Sequence, residues 1–184
     1  MSMKHDTVIT ATQRWIDKAV IGLNLCPFAK AVRVRGQIRY VISDASSAEA
    51  LLADLLRELQ ALHDADPELI DTTLLIHPQV LTDFLDYNDF LEIADGAVAE
   101  LGLDGEIQVA SFHPDYQFDG SAPDDIENFS NRSPYPTLHL LREASVDTAV
   151  EAFPDAANIY QRNIETLRAL GREGWDALMA PKKT

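Results

Sequence analysis

Two stretches of this sequence end alike: Leu75-Ile76-His77-Pro78 and Ser111-Phe112-His113-Pro114. Each is an apolar run stopped by a histidine and then by a proline, which fixes φ and cannot extend a ladder. In open parallel sheets, ligands gather outside the carboxyl ends of the strands, where the loops leave. Two imidazoles delivered there one or two ladder spacings apart, about 5 or 10 Å, would face one pocket. They would then act as acid and base, or as metal ligands. The competing reading is that each ring hydrogen-bonds a loop backbone. His139, between Leu138 and Leu140, is a third candidate. It would contact a substrate, or join His77 and His113 around a divalent metal, or simply be a hydrogen-bonded core residue. No His-x-x-x-His pair or other tight ligand spacing backs the metal.

Cys26 stands before Pro27-Phe28-Ala29-Lys30. If Pro27 opens a turn, Cys26 is its N-cap, and the amide dipoles favour a thiolate. That would make it a nucleophile or a redox-sensing thiol. Otherwise it is a small buried apolar residue. The 23 residues from Pro114 to Pro136 follow neither helical nor strand period, yet they hold Tyr116, Phe118, Phe129 and Tyr135. Long aperiodic segments in compact domains are usually functional or disordered, and this aromatic weight predicts one that packs down. Within it, Arg132 offers a two-pronged donor for a carboxylate or phosphate. Asp115 and Tyr116, just past His113-Pro114, would contact the same substrate. The alternative for Arg132 is an ion pair with Asp124, Asp125 or Glu127. No Gly-rich phosphate loop, Walker lysine or serine nucleophile elbow is present.

The elements that must position these residues follow from periodicity. Val8, Thr12, Trp15, Ile16, Ala19, Val20 and Leu23 predict an N-terminal helix from Asp6 or Thr7 to about Leu23. A strand is expected at 38–43. Ser46 with Glu49 forms a capping-box signal that opens a leucine-rich helix. A second strand follows at 72–77, and then a helix capped by Thr82 or Asp83 and closed at Gly102. A third strand is expected at 107–112 and a fourth at 137–142. Pro123 would start a short helix, Ser145 would cap another, and Pro154 would begin a last one stopped by Gly171, with a frayed tail after Trp175. The fold class is therefore α/β, a single domain over 1–184. Its small, mostly parallel sheet carries packed helices, because helices connect the first three strands.

Composition bounds the function. With 184 residues, 46% of them hydrophobic, one core is expected. The single cysteine excludes a disulfide framework or a multi-cysteine metal site. The net charge is −15, unevenly spread: +5 over residues 1–40, −20 over 41–130, and balanced thereafter. So acidic a chain repels phosphate backbones, so no nucleic-acid partner is expected. No apolar run reaches membrane-spanning length and no secretory leader is visible, so a cytoplasmic protein without a membrane partner is expected.

Four stretches carry a family resemblance: Gly22-Leu23-Asn24-Leu25-Cys26-Pro27-Phe28-Ala29, Ile76-His77-Pro78, Phe112-His113-Pro114-Asp115-Tyr116-Gln117-Phe118, and 131–140 from Asn131-Arg132 to His139-Leu140. In these the chain resembles a bacterial family catalogued as a domain of unknown function, number 1415 in that series. The resemblance spans nearly the whole chain. It implies a stand-alone bacterial protein and carries over no catalytic role. Two readings remain. One is an enzyme acting on a small anionic molecule by acid/base or metal-assisted chemistry at His77 and His113, anchored by Arg132. The other is a non-catalytic ligand-binding or interaction protein with Cys26 as its sensor.

Overall fold

The computed structural model describes residues 3–153 and 155–181. Four strands, β1 (Ile38–Ile42), β2 (Thr72–Ile76), β3 (Ile107–Phe112) and β4 (Thr137–Arg142), form one sheet in the order β1-β2-β4-β3. β1 and β2 pair in parallel, whereas β4 is antiparallel to both β2 and β3. The expected mostly parallel sheet is thus a mixed one. The reason lies in the connections. A helix joins β1 to β2, as a parallel crossover requires, but the segment between β3 and β4 contains no α-helix, so β4 returns beside β3 in the opposite direction.

Strand alternation sends the two faces into two cores. Leu75, Leu138 and Leu140 meet α3 (Ala48–Asp64) and α4 (Phe84–Glu100) through Leu51, Leu55, Leu59, Leu62, Tyr87, Phe90, Ala94 and Val98. Each buried leucine removes enough apolar surface to contribute roughly 2 kcal/mol. The N-cap of α3 is Ser47, whose hydroxyl accepts from Ala50 N at 3.2 Å, one residue after the expected Ser46. Asp83 caps α4 through Leu85 N and Asp86 N.

On the other face, Leu74 and Ile76 pack with Trp15, Ile16, Ala19, Leu25, Phe129, Leu167 and Trp175. These come from α1 (Met3–Trp15) and the turns that follow it, from the segment before β4, and from α6 (Ile159–Met179). The N-terminal helix does not run uniformly to Leu23. From Ile16 to Ile21 it widens into a π-turn, with Gly22 N donating to Asp17 O at 3.1 Å. A Cβ on Gly22 would lie 2.2 Å from Lys18 O, so only glycine closes this turn.

The predicted stop at Gly171 is a kink instead (φ 68°, ψ 174°). The helix resumes beyond it with Trp175 buried, and the tail expected to fray after Trp175 stays helical to Met179. Two shorter helices, α2 (Ala29–Val34) and α5 (Glu143–Ala152), complete the element set. Ser145 lies inside α5, bonded to Asp71, and is not its cap; Pro123 precedes a 3₁₀ turn (Ile126–Asn131). Pro154 lies outside the described residues. Among those described, no helix is long and apolar enough to cross a membrane.

Arg142, the last residue of β4, is buried and reaches the end of α3. Its Nη2 donates to Leu62 O at 2.6 Å, Ala65 O at 2.9 Å and Ile70 O at 3.2 Å. The last carbonyls of a helix have no partner within it, so one guanidinium closes α3 and ties the loop after it to the sheet. Arg142→Met should cost about 3 kcal/mol, because buried acceptors lose their only charged donor. Guanidinium chloride unfolding measures this; a loss under about 1 kcal/mol would show those carbonyls to be satisfied otherwise.

Candidate functional site

β2 and β3 carry His77 and His113 to the same end of the sheet, with β4 between the two strands. Both side chains are fully buried. Each packs on Tyr87 of α4, His77 stacked at 5.8 Å between ring centroids and His113 tilted at 5.0 Å. The Tyr87 hydroxyl donates to Thr137 O at 2.7 Å and accepts from Phe112 N at 3.0 Å, which fastens α4 to the ends of β3 and β4. Phe84 and Tyr116 extend the aromatic cluster over His113.

The hydrogen bonds define what the imidazoles do. His77 Nδ1 donates to Val80 O at 2.9 Å. His113 Nδ1 accepts from Asp115 N at 3.0 Å, which leaves the proton on Nε2, and this donates to Leu81 O at 3.1 Å. Two successive carbonyls of the β2–α4 loop are thus held by two histidines. Between them Leu81 adopts φ 55°, a left-handed conformation costly for a branched residue. Burial pushes His77 down to about 4 and His113 below its ordinary value, so both rings are neutral at pH 7. His77 Nε2 is buried without a partner. In this arrangement the pair anchors a loop.

His139 lies on the opposite face of the sheet, paired across from Leu74 and Ala110. Its Nε2 donates to Thr72 Oγ1 at 2.7 Å, which donates in turn to Leu140 O. Burial pushes this histidine also down to about 4. The sheet therefore separates His139 from His77 and His113, and the expected metal trio is not assembled. Among the described residues no group of three or more His, Cys, Asp or Glu side chains is placed to hold a metal ion.

The remaining expectations meet the same economy of internal bonds. Cys26 is not an N-cap: Phe28 holds that position before α2, and the Cys26 carbonyl accepts from Ala29 N. Burial pushes the thiol up, outweighing the N–H groups of Phe28 and Ala29 that favour the thiolate. Arg132 is occupied, with Nε donating to Tyr116 O at 3.1 Å, Nη2 to Pro123 O at 2.6 Å, and its plane over Phe129 at 4.4 Å. It does not pair with Glu127, which is held by Arg168. Asn128, fully buried, binds Phe118 N, Ser121 Oγ and Ala122 O. The aromatic loop is thus ordered by side chains turned into it. Asp115 is exposed, and Tyr116 packs between Phe84 and Phe118.

One residue went unread in the sequence. Arg14, on α1, lines two cavities. The first, about 500 Å³, lies among α1 from Asp6 to Arg14, Pro134 and Met179. The second, about 390 Å³, is lined by Thr10, Gln13, Arg14, Asp17, Lys18 and Arg33. Arg14 Nε and Nη2 are closed from solvent and have no hydrogen-bond partner. The available signal was the spacing of Thr7, Thr10 and Arg14, a polar stripe opposite the apolar one, just before a wide turn of a kind frequent at functional sites.

A protein-family model described as "Protein of unknown function (DUF1415)" matches residues 7–177. No curated protein and no solved structure matches the chain.

His77 and His139 are held near 4 in the fold against about 6.5 unfolded, so the unfolded chain binds more protons in between. Stability is then complete above pH 6.5 and falls as pH drops from 6.5 through 4, with His77 alone contributing about 3 kcal/mol. Denaturant titrations at pH 7.5, 5.5 and 4.5 should show this slope, reduced in His77→Asn; a flat profile contradicts it. The Cys26 thiol should titrate above the usual value of about 8.5 in pH-dependent alkylation. Rapid labelling at pH 7 would restore the thiolate reading.

Proposed function

The chain belongs to the DUF1415 family, and we propose that the protein binds a small molecule in the cavity beside α1, without chemistry at the strand-end histidines. The observation that carries this reading is the contrast in how polar groups are spent. The imidazoles of His77 and His113 are buried and bonded to loop carbonyls, whereas Arg14 lines an open hollow of about 500 Å³ beside α1 and its Nε and Nη2 have no hydrogen-bond partner. Small-molecule sites are concave, mostly apolar and supplied with a few converging polar groups, and their usual volumes include this one. The single free cysteine and the acidic balance favour a reducing cytoplasm and no nucleic-acid partner.

The enzyme reading keeps one observation in its favour, the unused lone pair of His77 Nε2. It would make His77 and His113 acid and base, with Cys26 as a nucleophile and Asp115, Tyr116, Arg132 and His139 as substrate contacts. Ligand-observed screening followed by amide shift mapping on labelled protein separates the two. Binders of the α1 cavity should move Thr10, Ala11 and Met179 and remain unaffected by His113→Gln. Compounds that move Leu81 and Asp115 and are lost in His113→Gln would place the site at the strand ends instead.

A further inference from the structure

We propose that the open edge of β1 is a docking surface for a second copy of this chain, the two β1 strands pairing antiparallel about a two-fold axis at Tyr40. Toward β2, the ladder is bounded by Thr72 N donating to Gln37 O and by Ser43 N donating to Ile76 O. Strand alternation then gives residues 37, 39, 41 and 43 to β2, and Ile38, Tyr40 and Ile42 turn their N–H and C=O groups outward. Among the described residues nothing bonds these outward groups. The other edge of the sheet is closed at both ends: Ile107 N donates to Leu103 O, Asn131 Nδ2 to Ser111 O and His113 N to Asn131 O, each at 3.1 Å. β1 also lacks the usual protection of an edge, since it contains no proline, glycine or bulge. Its one charged side chain, Arg39, is turned onto α3, with Nε donating to Glu58 Oε2 at 3.0 Å.

The strand selects its own copy as the occupant. A pair centred on Tyr40 sets Tyr40 against Tyr40, Ile38 against Ile42 and Arg39 against Val41 of the second copy. All three outward residues then exchange both of their hydrogen bonds, and Arg39 meets an aliphatic side chain, not its like. The chain also changes sign at this centre: residues 1–40 carry +5 and 41–130 carry −20. Antiparallel pairing at Tyr40 therefore lays the basic approach to one β1 against the acidic exit from the other, and the two-fold axis repeats the match. Arg35, exposed and without an ion pair among the described residues, comes beside the exposed Asp44.

Sedimentation equilibrium of the full chain, with amide hydrogen exchange at rising concentration, tests this. A dimer should form near about 100 μM and weaken as salt rises. On dimerisation the amides of Ile38, Tyr40 and Ile42 should slow their exchange, while those of Arg39 and Val41, already bonded to β2, should not change. Arg35→Glu and Asp44→Lys should each weaken the dimer at least about tenfold, and the double exchange should recover most of the affinity. Ile42→Pro, which removes an outward N–H and spares the β2 ladder, should leave a monomer. Both charged positions are exposed, so the charge exchange reads the interface even if Ile42→Pro does not fold. A monomer at all concentrations up to about 1 mM overturns the proposal. So does a dimer indifferent to the charge reversals, or one in which the amides of Tyr40 and Ile42 stay unprotected.

Discussion

β4 is hydrogen-bonded along both of its edges, and most of what distinguishes this molecule follows from that placement. By entering between β2 and β3 in the opposite direction, it supplies ladder partners to two strands at once. It also separates the two histidine-terminated strands by a full strand width. The space between their ends is filled by Tyr87, whose hydroxyl is fixed by the Thr137 carbonyl at the start of β4 and the Phe112 amide at the end of β3. At the far end of β4, Arg142 closes α3. A single strand thus joins the sheet, both covering helices of one face and the loop that follows α3.

The end of the sheet toward which β1, β2 and β3 run is therefore solid. A tyrosine and two neutral histidines occupy it, and all their polar atoms except His77 Nε2 bond neighbouring backbone. Burying an imidazole in its neutral form avoids the cost of a buried charge, and the bonds to Val80 and Leu81 repay part of the desolvation. The left-handed Leu81 is held in place by this over-determination. The opposite face is built differently. There the N-terminal helix widens at Ile16, α6 kinks at Gly171, and Arg14 lies beside two cavities with its fork unfilled. Packing is thus regular on one face, and on the other the helices are interrupted.

Much of the scaffold was legible in the residues. The four strands stand where β-branched and leucine-rich runs predict them, and α3 and α4 follow the three- and four-residue spacing of their leucines and aromatics. The aromatic content of 114–136 correctly implied an ordered segment. Periodicity reports burial, and burial on one face of an element is a local property that the chain displays. The caps were less legible, since Ser46 and Ser47 are equally able to accept an amide hydrogen and only the backbone path selects between them.

What the sequence by itself determined is the set of elements, the two His-Pro strand endings and the absence of a cysteine framework. Tertiary structure alone decided that β4 inserts antiparallel, that His139 faces away from His77 and His113, and that Arg132 spends its donors on Tyr116 and Pro123. Each of these depends on which groups meet across long sequence separation. A histidine or arginine has the same donors whether it faces a substrate or a carbonyl, so its type does not reveal its partner. The same limit hid Arg14. An arginine on an amphipathic helix reads as a solvated surface charge until the fold brings α6 and the segment before β4 against it and leaves its fork dry.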